Sequence, residues 1–197
     1  MARRLEHIQD ELLVLRAQDG DADALGELIA RWRGPLRAHA WHLVRDRAGV
    51  DDIAQEAWMA IVKGLRGLRD PAHFGAWSHR IVGHKCADWI RGRRRWRTVL
   101  ARTQAEAVGA DAGGPVDPAQ SATGDEEGAG AGPGDPRMHA ALDQLSAEAR
   151  SLLSLHHVSE LNVNQIAAAL DIPVGTVKSR LHHARRDLRD AYERTKS

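Results

Sequence analysis

At 197 residues the chain has room for one or two domains, and its single cysteine, Cys86, excludes an internal disulfide and suits a reducing compartment. A formal net charge of +1 excludes neither nucleic acid nor protein as a partner, because 28 basic and 27 acidic side chains are segregated along the chain rather than mixed. No window is apolar enough for a membrane span, and the opening stretch MARRLEHIQDELL breaks its apolar residues with charges, unlike a signal peptide, so a soluble cytoplasmic protein is expected.

In chain order, Leu5 to Ala17 predicts a helix with Leu5, Ile8, Leu12 and Leu15 on one side as core. Asp19-Gly20-Asp21 stops it and supplies Asp21 as the next N-cap. Ala22 to Ala30 continues with Leu25, Leu28 and Ile29 inward, and Trp32, Leu36, Trp41, Leu43 and Val44 extend the apolar set, with Pro35 marking a bend or a helix start. After a polar turn over 46–49, a strong helix from Val50 to Leu68 gathers Ile53, Ala57, Ala60, Ile61, Gly64 and Leu68 within a narrow arc. The opposite arc holds Asp52, Gln55, Glu56, Met59 and Lys63, which read alone is a solvated face, with exposed Met59 hinting at a partner.

The segment 67–73 reads as a loop, and Phe74 to about Arg95 as a further helix with Trp77, Ile81, Val82 and Trp89 available for burial. Its other side aligns Arg80, His84, Ala87, Arg91 and Arg94 at helical steps, a basic ridge of the kind that tracks a nucleic-acid backbone. Between Trp77 and Arg97 seven basic residues face one acid, Asp88. Trp89 and Trp96 have rings that could stack on bases, although a tryptophan beside Ile and Val more often packs inward. From about Arg102 the composition turns to Gly, Ala, Pro and acid. Glu106 to Pro136 holds seven acids and neither Lys nor Arg, which reads as a disordered acidic linker. Two helices follow, Met138 to Leu145 and Ser146 to His157, the second capped by Ser146.

The last piece, Val163 to Leu188, predicts a helix-turn-helix. Ile166, Ala167 and Leu170 form the inner edge of its first helix, and Asp171-Ile172-Pro173 makes the corner. Val177, Leu181, Ala184 and Leu188 line the inside of the second. Thr176, Lys178, Ser179, Arg180 and His183 are left outward, residue types that contact phosphates and base edges in a major groove. The bland alternative is an αα-corner with a solvated basic face.

Three pieces taken together, DDIAQEAWMAIVKGL, FGAWSHRIVGHKCADWIRGRRR and QIAAALDIPVGTVKSRLHHAR, resemble a bacterial sigma factor of the small extracytoplasmic-function (ECF) type. The resemblance implies an all-α protein: a sigma-2 domain over 1–100, a linker over 101–137 and a sigma-4 domain over 138–197. It implies core RNA polymerase and promoter DNA as partners and an anti-sigma factor as inhibitor. Asp52, Gln55, Glu56 and Met59 would dock on the clamp of the largest polymerase subunit, and the flap of the second largest would be a further polymerase contact. Arg69, His73, Arg80, His84, Arg91 and Arg94 would serve the minus-10 element; Thr176, Lys178, Ser179, Arg180 and His183 the minus-35 element. Three positions depart from the family: His84 for a usual Asn, Asp171 for a corner Gly and Gln165 for a common Glu. No catalytic constellation, metal site or cofactor motif is found, and the family carries no catalysis of its own. Two other classes fit less well. A one-component regulator has no use for the basic ridge in a dimerisation domain, and an adaptor that reads no DNA has none for outward Lys178 and Arg180.

Overall fold

The computed structural model describes residues 2–107 and 135–195. Among them eight α-helices occur and no strand, in agreement with an all-α fold: α1 Ala2–Gln18, α2 Ala22–Val44, α3 Arg47–Gly64, α4 Phe74–Ala107, α5 Pro136–Asp143, α6 Ala147–His157, α7 Val163–Leu170 and α8 Val174–Arg194. Two short 3-10 turns, Leu65–Gly67 and Pro71–His73, lie between α3 and α4.

The local chemistry explains the boundaries. Asp21 accepts from the backbone N–H groups of Asp23 and Ala24 and opens α2. Asp46 accepts from Gly49 and opens α3, so the turn expected over 46–49 is the first turn of a helix. Pro35 sits inside α2 rather than at an end. Asp70 caps the turn Pro71–His73, which replaces the expected loop with a short structured entry into α4. Helix α4 runs well past Arg95, through Ala107, and so takes in the first residues of the expected linker; its span 108–134 lies outside the described residues. Asn162 and Gln165 form a reciprocal capping box at the start of α7.

The helices α1–α4 form one module, with α2 packed on α1, α3 and α4. Leu28, Trp32, Leu36 and Ala40 of α2, Ile53, Ala57 and Ile61 of α3, and Phe74, Val82 and Cys86 of α4 form its centre. Here α1 departs from expectation: Ile8, Leu12 and Leu15 are exposed at 52%, 54% and 49%, while Leu13 and Val14 are buried. Trp41 is also exposed.

The helices α5–α8 form a second module around Leu152, Leu155, Ile166, Val177, Leu181 and Ala184. The two modules touch: α7 packs along α4 and α6 along α2, and a single apolar cluster runs through both.

Candidate DNA-binding and partner-binding surfaces

The second module contains the expected helix-turn-helix. Asp171 ends α7 with φ 55° and ψ 45°, a left-handed residue whose N–H reaches the Ala167 carbonyl. A left-handed corner favours Gly, but Asp tolerates it better than most side chains. Pro173, extended at φ −59° and ψ 145°, stands just before α8 rather than inside it. Buried Ala167 leaves room for the two helices to cross. With Val177, Leu181 and Ala184 buried, Lys178, Ser179, Arg180 and His183 face solvent and Thr176 is half-buried. The four exposed groups share the outer side of α8 near its N-terminus, the end of a recognition helix that meets bases. The Arg180 guanidinium is engaged by the Glu148 carboxylate of α6.

On the first module, Arg80, His84, Arg91 and Arg94 are all exposed along one side of α4, so the ridge is a real surface. Arg69 and His73 lie exposed in the segment leading into it. Local acids hold several of these groups. His73 Nδ1 is 2.8 Å from Asp70 Oδ2, and Arg91 pairs with Asp88. Arg80 meets Asp171 of the other module at 3.2 Å. Arg93, beside the ridge, pairs with Asp46 and lies over the Trp89 ring, 4.9 Å from its centroid. The Gly49 amide and then the Arg93 guanidinium hold the Asp46 carboxyl below its ordinary range. Trp89 is therefore packed, against Gly49 and Arg93, whereas Trp96 is 63% exposed.

The third surface is the outer face of α3. Asp52, Gln55 and Glu56 are exposed, and Met59 is 59% exposed with Val62 beside it at 43%. Glu56 receives a hydrogen bond from Lys85 Nζ of α4 at 2.9 Å, which raises the lysine pKa. An acidic face around an exposed thioether and valine is the composition of a protein-binding patch rather than of a nucleic-acid one.

Sequence reasoning missed a buried polar cluster where the modules meet. His39 of α2 and His79 of α4 are fully enclosed, their ring centroids 5.2 Å apart. Ser151 Oγ of α6 lies 3.2 Å from His39 Nδ1, and Ser159 Oγ lies 2.8 Å from His79 Nε2. The signal was present in the spacing: His39 continues the inward series Leu28, Trp32, Leu36, and His79 precedes Val82 and Cys86 at steps of three and four. Among the described residues no group of His, Cys, Asp or Glu is disposed to hold a metal ion, and no helix is long and apolar enough to cross a membrane.

Comparison with known proteins agrees with this geometry. The family model for sigma-70 region 2 matches residues 28–96 and that for sigma-70 region 4 matches residues 136–188. The ECF RNA polymerase sigma factor SigD of Mycobacterium tuberculosis is 32% identical over 185 residues, covering 91% of this chain and 82% of the relative. The RNA polymerase sigma-H factor of Pseudomonas aeruginosa is 28% identical over 181 residues, covering 90% of each chain. Among solved structures, CnrH in complex with the cytosolic domain of CnrY superposes with a TM-score of 0.60 at 25% identity, covering 94% of this chain and 97% of the other. The sigma factor RpoE in complex with the anti-sigma factor NepR from Bartonella quintana shares the fold, with a TM-score of 0.59 at 23% identity over 87% of this chain and 97% of the other.

Proposed function

The chain belongs to the extracytoplasmic-function sigma factors of the sigma-70 type, which direct promoter recognition at transcription initiation, and from that premise we propose how its surfaces divide the work. The outer face of α3, with Asp52, Gln55, Glu56 and Met59, docks on the clamp of the largest subunit of core RNA polymerase. The second module docks on the flap of the second largest subunit and lays α8 in the major groove of the minus-35 element. There Lys178 and Arg180 reach base edges or phosphates, and Thr176, Ser179 and His183 complete the contact. The α4 ridge of Arg80, His84, Arg91 and Arg94, with Arg69 and His73 at its entry, holds the minus-10 element as its strands separate. An anti-sigma factor restrains the protein in the cytoplasm until a signal releases it; the RpoE relative captured with NepR motivates this partner.

One observation carries the reading: two separate helical surfaces present basic groups to solvent, one on each module, while the third surface is acidic and partly apolar. One protein can then hold DNA at two places and a protein partner at a third. Charge segregation makes both DNA contacts salt-sensitive, and the acidic polymerase-facing surface is screened by salt as well. The test is co-purification with core polymerase, followed by transcription in vitro from candidate promoters. A stable complex that starts transcripts only at promoters with both elements is expected. Promoter-dependent initiation by core alone, or failure to bind core, would remove the reading.

A further inference from the structure

We propose that the seam between the two modules is a proton-opened latch, in which His39, His42 and His79 must be neutral for the modules to stay shut. Its inhibitory consequence rests on the assignment of the α4 ridge to DNA.

The closed form engages one end of that ridge. Helix α7 lies along α4, Asp171 takes the Arg80 guanidinium at 3.2 Å, and Gln165 Nε2 reaches the Ala72 carbonyl at 3.5 Å. Gly75 is a point of close approach: a Cβ there would stand 2.6 Å from Trp32 of its own module and 3.0 Å from Leu161 of the second. Apolar contact of this kind holds surfaces together without specifying when they part. The polar atoms in the seam supply that condition.

His79 spans it. Its Nδ1–H donates to the Gly75 carbonyl at 2.8 Å, which leaves Nε2 to accept from the Ser159 hydroxyl. A proton on Nε2 would turn that acceptor into a donor and place a charge inside the buried seam, 5.8 Å from the Trp32 ring between centroids. His39 faces Ser151 through Nδ1, and its Nε2 is buried with no hydrogen-bond partner. His42, half-buried on the same helix, has a buried Nδ1 without a partner.

The charged groups around the seam favour the neutral rings on balance. From α4, His39 faces His79; from α2, it faces His42. His42 faces Arg45, which caps α2, and Arg150 of α6, both disfavouring its protonation, and Asp143 of α5, which favours it but is itself taken by Arg45 at 2.6 Å. From the segment joining α6 to α7, His79 meets neutral Ser159; the next residue, Glu160, lines a separate cavity with His7, Asp10 and Arg31. No carboxylate is among the groups that shift His39 or His79. Burial accordingly pushes His79 and His42 down to about 4 and His39 well below its ordinary value.

The sign follows directly. In the open form these imidazoles meet water and take protons near the ordinary pKa of about 6.5. In the closed form His42 and His79 do so only near 4, and burial holds His39 well below its ordinary value. The closed form therefore binds fewer protons, is fully favoured above about pH 6.5 and loses ground as pH falls. Between pH 7.5 and 5.5 His42 and His79 each shift the closed-to-open ratio on the order of tenfold, and His39 acts in the same direction.

Small-angle X-ray scattering of the full chain at pH 7.5 and 5.5, with circular dichroism in parallel, tests this. A compact particle that expands at pH 5.5 with unchanged helix content is expected. The combined variant H39N, H42Q and H79Q should lose the pH response. Because that variant alters buried sites, Ser151→Arg gives a second arm: a guanidinium forced against His39 should hold the chain open at pH 7.5. Scattering unchanged between the two pH values for the wild type, or a combined variant that responds as the wild type does, overturns the latch. Binding of a fluorescent single strand carrying a candidate minus-10 sequence at pH 7.5 separates the two readings. If Ser151→Arg opens the chain and also tightens DNA binding, both stand. If it opens the chain without tightening binding, the latch stands and the DNA role of the α4 ridge falls.

Discussion

Gly49 shows how one residue ties sequence to packing. It lies in the first turn of α3, its N–H donates to the Asp46 side chain at 2.8 Å, and a Cβ there would come within 2.5 Å of the Trp89 ring. Because Trp89 is also held beneath Arg93, it has little room to yield. Gly49→Ala should cost roughly 1–3 kcal/mol of overpacking, read as a lowered midpoint in urea unfolding. Asp46 is a milder case with a pH signature. Its carboxylate caps α3 and pairs with Arg93, and its pKa is lowered in the fold. A carboxyl depressed in this way stabilises above its unfolded value, near 3.8, and that stabilisation disappears as pH falls through the folded value. Asp46→Ala should therefore cost about 1 kcal/mol at pH 7. The gap between the two proteins should narrow steadily in unfolding measurements below about pH 4; a gap independent of pH would mean that the loss is steric rather than electrostatic.

At the scale of elements, the recognition helix carries a restraint that its own sequence does not show. Arg180 is held by Glu148, so under the proposed role a DNA phosphate or base would have to displace a carboxylate before that arginine contributes. Lys178→Ala should weaken binding to an upstream element by roughly 1–3 kcal/mol if it reads a base, with a smaller loss if it touches only phosphate. Glu148→Gln should act in the opposite direction and tighten binding, because it removes a competitor and a negative charge near the duplex. Both follow from fluorescence anisotropy at fixed salt, and a weaker complex with Glu148→Gln would mean that the pair positions Arg180 for DNA instead. On α3, reversing charge at Asp52 and Glu56 should weaken capture of core polymerase while circular dichroism stays unchanged, since both lie opposite the buried Ile53, Ala57 and Ile61. Unaltered capture in a pull-down would move the polymerase contact elsewhere.

These elements also show what could be read from the chain. In α3 and α8, where apolar residues recur at three and four, the periodicity identified the buried face, and the Asp171 corner followed from the chemistry of its neighbours. Helix α1 defeated the same reasoning because Leu12, Leu13, Val14 and Leu15 are consecutive, so periodicity cannot choose between two sides. Contact with α2 chooses Leu13 and Val14. The buried histidines were missed for a different reason. Each reads as polar until its place in an inward series is noticed, and their serine partners lie 112 and 80 residues away along the chain.

For the whole molecule the central question is how two modules that touch can serve two sites on one promoter. If the elements lie about 17–20 base pairs apart, their centres are roughly 60 Å distant at about 3.4 Å per pair. The 27 residues 108–134 could reach at most about 90–95 Å by chain length alone, so the distance is within reach. Such a connection limits the maximum separation without setting any particular one. The closed form also keeps α7 on α4, so gripping both elements requires the seam to part. The chain alone should therefore bind promoter DNA weakly, one module at a time, and with little regard for spacing. Core polymerase, by holding each module on its own subunit, would supply both the opening and the ruler. Gel shifts at physiological salt on promoters with spacers lengthened by a few base pairs, with and without core, decide this. Spacer-sensitive binding is expected only with core present; tight, spacer-sensitive binding by the chain alone would place the ruler inside this protein.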